Sequence, residues 1–243
     1  MIFPDRVRRI LYLRYTALLS AYSRCMGMTG TVVGGFAVAV LLWRIAETLE
    51  LSGAVSPVMT GWRRWRTLAW VSALTMISAA AMAQMMPARP AASAFVMFAA
   101  VTPGLAWIDV RSMLLPFPLL GGLALAAVAG FSIDAWRFGS GQSLERALAC
   151  GLVVAVLGWV CWRSVKDQVG LGDVALLGVT SLFLGWWSAA AVWLAVVVAC
   201  LLWWVTMAMF RLGRTSTGSY IPLGPAILGG WWTATALVVA GGM

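Results

Sequence analysis

Residues 174–210 form a run of 37 positions without one charged side chain. A single helix of that length would extend roughly 55 Å at about 1.5 Å per residue, far beyond the ~30 Å hydrocarbon core of a bilayer. The run therefore reads as two shorter crossings, divided by a turn around Gly185-Trp186-Trp187-Ser188. The rest of the chain has the same character: 62% of its residues are apolar and 10% are charged, where a soluble domain carries about 25% charged. Its mean hydropathy is +0.92. A soluble fold cannot hide that much apolar surface, so the chain reads as an all-α, polytopic membrane helix bundle.

Reading between charges places further spans near 25–43, 67–86, 91–108, 115–133 and 147–162, with a last one at 220–242, about eight transmembrane helices in all. Trp62, Trp65, Trp107, Trp136, Trp162, Trp186 and Trp187 fall near predicted ends, where interfacial aromatic belts form. Residues 1–24 carry Arg6, Arg8, Arg9, Arg14 and Arg24. They read as a basic N-terminal segment lying in the interface, and not as a removable leader, because Arg14 interrupts their apolar stretch and no small-residue cleavage site follows. Residues 25–243 read as one transmembrane domain with a short polar loop at 44–66.

The net charge of +9 on such a chain points to topology anchoring and membrane lipid headgroups, not to nucleic acid. Loops 44–66, 109–114, 163–173 and 211–219 fall on one side and hold nine basic residues, against three in loops 87–90 and 134–146. Positive charge stays inside, so the first group is expected at the cytoplasmic face. The same alternation puts residues 1–24 outside, unless they stay at the interface or the first span is not a full crossing.

The chain has no histidine. That removes Ser-His-Asp and Cys-His catalysis, histidine-ligated zinc and haem held by a proximal histidine. Cys25, Cys150, Cys161 and Cys200 lie in or beside apolar runs with no CxxC spacing, so they read as small buried hydrophobes and no metal site is expected.

Eight carboxylates remain. Asp5, Glu47 and Glu50 lie among arginines in polar flanks. Asp134 and Glu145 sit in the predicted 134–146 loop beside Arg137 and Arg146, and Asp167 is next to Lys166; all six read as solvated surface charges. Asp109 follows nineteen uncharged residues, and Asp173 opens the 37-residue run. A carboxylate within the membrane costs about 2.5–3.5 kcal/mol on insertion scales, so one held there generally has a function. Two crossings separate the two, which puts them on the same side. Converging carboxyls share one proton and act as base and acid together, the plainest route to peptide hydrolysis without histidine. Gly170 and Gly172, just before Asp173, would let a substrate backbone approach and would permit positive φ. Capping of a helix by Asp173 and pairing of Asp109 with Arg111 are the simpler structural alternatives.

Asp109-Val-Arg111-Ser-Met-Leu-Leu115-Pro116 resembles the D-x-R-x-x-x-L-P signature of the type IV prepilin peptidases. Gly170-Leu-Gly172-Asp173-Val-Ala-Leu-Leu is similar to that family's GxGDxxLL motif. Ile221-Pro222-Leu-Gly224-Pro225 resembles its I-P-[FY]-G-P, and Gly30-Thr-Val-Val-Gly34-Gly35-Phe36, followed by Arg44, resembles its first helix. The resemblance implies a GxGD intramembrane aspartyl protease of the bacterial inner membrane, with Asp109 and Asp173 as the catalytic pair. Arg111 would fix the first motif and Pro116 would start the next helix. The implied substrate is a prepilin or pseudopilin, an apolar N-terminal helix behind a basic leader that is cut at the cytoplasmic face. Many members also methylate the new N-terminus through a four-cysteine insert between the first two spans. Here that position, residues 45–66, holds no cysteine, which implies a peptidase-only variant without zinc or another cofactor. Two other readings are a proton-coupled transporter using the two aspartates and a non-catalytic pilus-assembly partner. Against the transporter, the chain shows no inverted repeat, and its two aspartates lie at span ends.

Overall fold

The computed structural model describes residues 62–86, 89–113, 115–164, 170–213 and 222–241. Among them there are seven helices and no strand: α1 (Trp62–Met85), α2 (Pro90–Ser112), α3 (Phe117–Phe138), α4 (Gly141–Ser164), α5 (Leu171–Trp187), α6 (Ala189–Gly213) and α7 (Gly224–Gly241). By length and composition α2, α3, α4 and the Ala189–Met209 part of α6 can each cross a membrane. The all-helical expectation holds, whereas the expected eight crossings are not reached among the described residues. The expected first span and the 1–24 segment lie outside them.

Local chemistry explains where the helices stop. Pro90 opens α2 at a position whose N–H would have had no partner anyway. Met113 closes it in the left-handed conformation, at φ 52°, with its N–H donating to the Asp109 carbonyl. Gly139 closes α3 in the same way at φ 70°. The expected turn near residues 185–188 is present. Ser188 breaks the long uncharged run in extended conformation, and its Oγ accepts from Ala191 N–H to cap α6.

Three predicted loops are shorter than expected. The 134–146 loop shrinks to Gly139-Ser140 between α3 and α4, the 109–114 loop loses Asp109 and Arg111 to the last turn of α2, and residues 62–66 belong to α1. Charge marked the ends of the apolar core, but a helix runs past its last apolar residue until a backbone stop signal ends it.

Successive helices alternate in direction. The start of α2 and the ends of α3 and α5 lie at one end of the bundle, and the end of α2 and the starts of α5 and α7 lie at the other. Helix α5 is central, packed by α3, α4, α6 and α7, while α2 packs against α1, α3 and α7. Its longest seam is with α4, where small residues interleave. A Cβ on Gly178 would lie 3.0 Å from that of Ala155, and one on Gly185 would lie 2.7 Å from that of Cys150. Between apolar helices in lipid, such close backbone approach supplies the attraction that water supplies elsewhere.

Near the first-mentioned end, an aromatic cluster pins α2, α3, α5 and α7 together. Phe98 stacks on Phe183 at 4.5 Å, Phe131 stacks on Trp186 at 4.5 Å, and Trp231 meets Phe98 edge-on at 4.7 Å. Arg146 closes that end of α5, donating to the Gly185 and Trp186 carbonyls at 2.8 and 2.7 Å, a cation where the helix dipole is negative.

Candidate active site

The Phe98–Phe183 stack sets a common level on two antiparallel helices. Asp109 lies eleven residues beyond Phe98 on α2, and Asp173 ten residues before Phe183 on α5. At about 1.5 Å per residue, both carboxylates stand roughly 15–16 Å from the stack, toward the same end of the bundle. They are close enough for the charge of Asp109 to act on Asp173. Helix α7 touches both α2 and α5 from one side, and α3 does so from another.

Each carboxylate is held by one backbone N–H. Asp109, in the last turn of α2, is 4% exposed, and its Oδ2 accepts from Gly224 N at 2.9 Å. Asp173 is the third residue of α5 and is partly buried. Its carboxyl accepts from the N–H of Gly170, which caps the helix. The N-cap role considered for Asp173 thus falls to Gly170, and Asp173 sits inside the first turn, beside Asp109.

The two glycines before Asp173 serve in a way the sequence reading did not foresee. Gly170 has φ −73°, an ordinary extended conformation, and neither it nor Gly172 is among the positive-φ residues described. Their value is space. A Cβ on Gly170 would lie 3.1 Å from Asp173 Oδ2, and one on Gly172 would lie 2.9 Å from the Cβ of Leu115. Leu115, 6% exposed, therefore seats the first motif directly on the second.

The remaining expected residues divide. Pro116 stands at the N-cap of α3 with φ −72°, the helix start its fixed φ suits. Arg111 is exposed, with its guanidinium 5.7 Å from the centre of the Trp107 ring.

Two residues were missed. Gly224 reaches Asp109 because its motif begins a helix there. A glycine at such a helix start is itself a mark of close backbone approach. Asp134, read as a surface charge, is fully buried inside α3. It accepts from Ala91 N at 3.2 Å and from Ser140 Oγ at 2.8 Å, so it caps the first turn of α2 from a neighbouring helix. Its place among the charges of the predicted 134–146 loop made it read as solvated, and only the tertiary fold brings it under α2.

Two neighbouring carboxyls that share a proton can perform base and acid catalysis at one carbonyl. The ionised oxygen takes a proton from water while the protonated partner hydrogen-bonds the carbonyl oxygen. Asp109 and Asp173 lie where α2 and α5 end, not midway along them, which is where a peptide bond at a membrane boundary would be met.

Residues 93–205, from α2 into α6, match the model of the type IV leader peptidase family. The match takes in both Asp109 and Asp173, while the 221–225 motif lies beyond it. No curated protein and no solved structure matches the chain.

Proposed function

We propose that this chain is an intramembrane aspartyl endopeptidase that removes the basic leader from type IV prepilins or pseudopilins at the cytoplasmic face of a bacterial inner membrane. One observation carries the reading: two carboxylates on antiparallel helices stand at one level, near enough to interact electrostatically, at one end of an apolar bundle. The peptidase-family match over residues 93–205 supports the reaction class.

One carboxylate takes a proton from water, and the water oxygen bonds to the scissile carbonyl carbon. The other carboxyl gives its proton to the carbonyl oxygen. Collapse of the resulting diol breaks the C–N bond, the leaving amine takes a proton, and the pair returns to its single shared proton. The substrate's apolar helix would lie among the spans with its leader in water. The nine-to-three basic bias of the loops sets the expected side. Overall positive charge would not attract a basic leader, so the carboxylates themselves supply the local attraction.

Co-expression with a candidate prepilin, followed by mass measurement of the product, tests this. The wild-type chain is expected to release the leader, whereas Asp109→Asn and Asp173→Asn should insert normally and leave it attached. Full processing by either variant would remove the reading. A product mass without an added methyl group is the expected sign of a peptidase-only enzyme.

A further inference from the structure

The first turn of α7 is short of donors, and the one it sends outward goes to Asp109. Among the first four residues of that helix, Gly224 N–H donates to Asp109 Oδ2 at 2.9 Å. Pro225 has no N–H, and Ala226 and Ile227 both donate to the Leu223 carbonyl. None of the four is left to bind substrate. The same glycine leaves no room for a side chain, because a Cβ would lie 2.6 Å from Asp109 Oδ2 and 3.0 Å from its Cγ. Farther along, α7 is fixed to α2 twice more. Trp232 Nε1 donates to Thr102 Oγ1 at 3.1 Å, and Trp231 meets Phe98 edge-on. The helix is thereby registered against α2, with its amino end at the carboxylate.

We propose that Gly224 is a positioning residue for the Asp109–Asp173 pair: its backbone N–H fixes Asp109 Oδ2 and so leaves Oδ1 as the oxygen available to water and to Asp173. The amino end of α7 is an anchor for the pair and not an oxyanion-binding site. This deepens the aspartyl-peptidase reading and rests on it for its kinetic consequence. The hydrogen bond itself does not depend on that reading.

The test therefore has two arms. In the first, Gly224→Ala is compared with Gly229→Ala, on the same helix, where an added Cβ meets only the flexible end of Leu202. With a prepilin as substrate, Gly224→Ala is expected to lower kcat about 10²-fold, as displacement of a catalytic group by an ångström does. Its KM should stay near wild type, and Gly229→Ala should match wild type in both. A rise in KM with kcat intact, or equal losses in the two variants, would overturn the positioning role. If the wild-type chain cleaves nothing, the peptidase reading fails, and the second arm still decides the contact.

In that arm, the chain is labelled with 15N-glycine in detergent, and the Gly224 signal is identified as the one absent from Gly224→Ala. Asp109→Asn, which replaces a charged acceptor with a neutral one, should move that amide proton upfield, and Asp173→Asn should move it much less. An unmoved Gly224 proton in Asp109→Asn would overturn the inference whatever the enzyme does.

Discussion

Leu115 lies so close to Gly172 that a methyl group on the glycine would be 2.9 Å from the leucine Cβ. These two residues join the segments that carry the two candidate catalytic carboxylates. Leu115 follows Asp109 across the left-handed turn at Met113, and Gly172 directly precedes Asp173. Their contact couples the end of α2 to the start of α5 through backbone-proximal atoms, which have little freedom to move aside.

Gly172→Ala is accordingly expected to separate the two carboxylates while leaving the bundle folded. The neighbouring atom is a Cβ, not the far end of a flexible chain, so the helices must shift. Cleavage should fall about 10²-fold, the usual effect of an ångström's misplacement. Gly121→Ala, where nothing lies within 4 Å of the added methyl, should cleave like wild type. Equal activity in the two variants would mean that this contact does not set the spacing of the pair.

The shared-proton mechanism also fixes the shape of the pH profile. Only the singly protonated pair holds a base and an acid together, so kcat/KM should fall at both low and high pH. The two limbs belong to the pair and not to either residue. A rate that climbs to a plateau with no second limb would point to one working carboxylate and a separate source of the other proton.

Much of this was legible in the residues. An uncharged 37-residue run with Ser188 inside it marked two helices and their break, and two isolated carboxylates in apolar surroundings marked a pair that the fold brings together. The roles of Gly170 and Gly172 were not legible, because one residue type serves both positive φ and close packing, and only the neighbours distinguish the two. Asp134 was misread for a related reason. A carboxylate near arginines looks solvated in one dimension, while its partners Ala91 and Ser140 are fixed by the approach of α2 to α3. Gly224 is 115 residues from the oxygen it binds, and no local pattern carries that pairing.

The aromatic cluster should act as the fulcrum of the site. Phe98→Ala removes the stack on Phe183 and the edge contact with Trp231. Loss of a buried phenylalanine costs about 3–5 kcal/mol, a change visible as earlier unfolding on titration with a denaturing detergent. Because α2, α5 and α7 all lean on that ring, the fraction that stays folded should also cleave more slowly. Phe98→Leu, which keeps most of the volume, should recover the greater part of both losses. Stability unaffected by Phe98→Ala would show that the helices are held by their small-residue seams instead.

Asp134 offers the opposite case, a buried carboxylate expected to matter for folding and not for chemistry. It caps α2 at Ala91, eighteen residues from Asp109, a separation of roughly 27 Å along the helix. Asp134→Ala strands a buried N–H and removes the partner of Ser140, at a cost of about 1–3 kcal/mol. Asp134→Asn keeps an oxygen for Ala91 and should lose half of that or less. Thermal unfolding in detergent reads the difference, and activity is then compared per folded molecule, where Asp134→Asn should equal wild type. A folded Asp134→Asn chain that no longer cleaves would place this third carboxylate in the reaction, which the distance along α2 argues against.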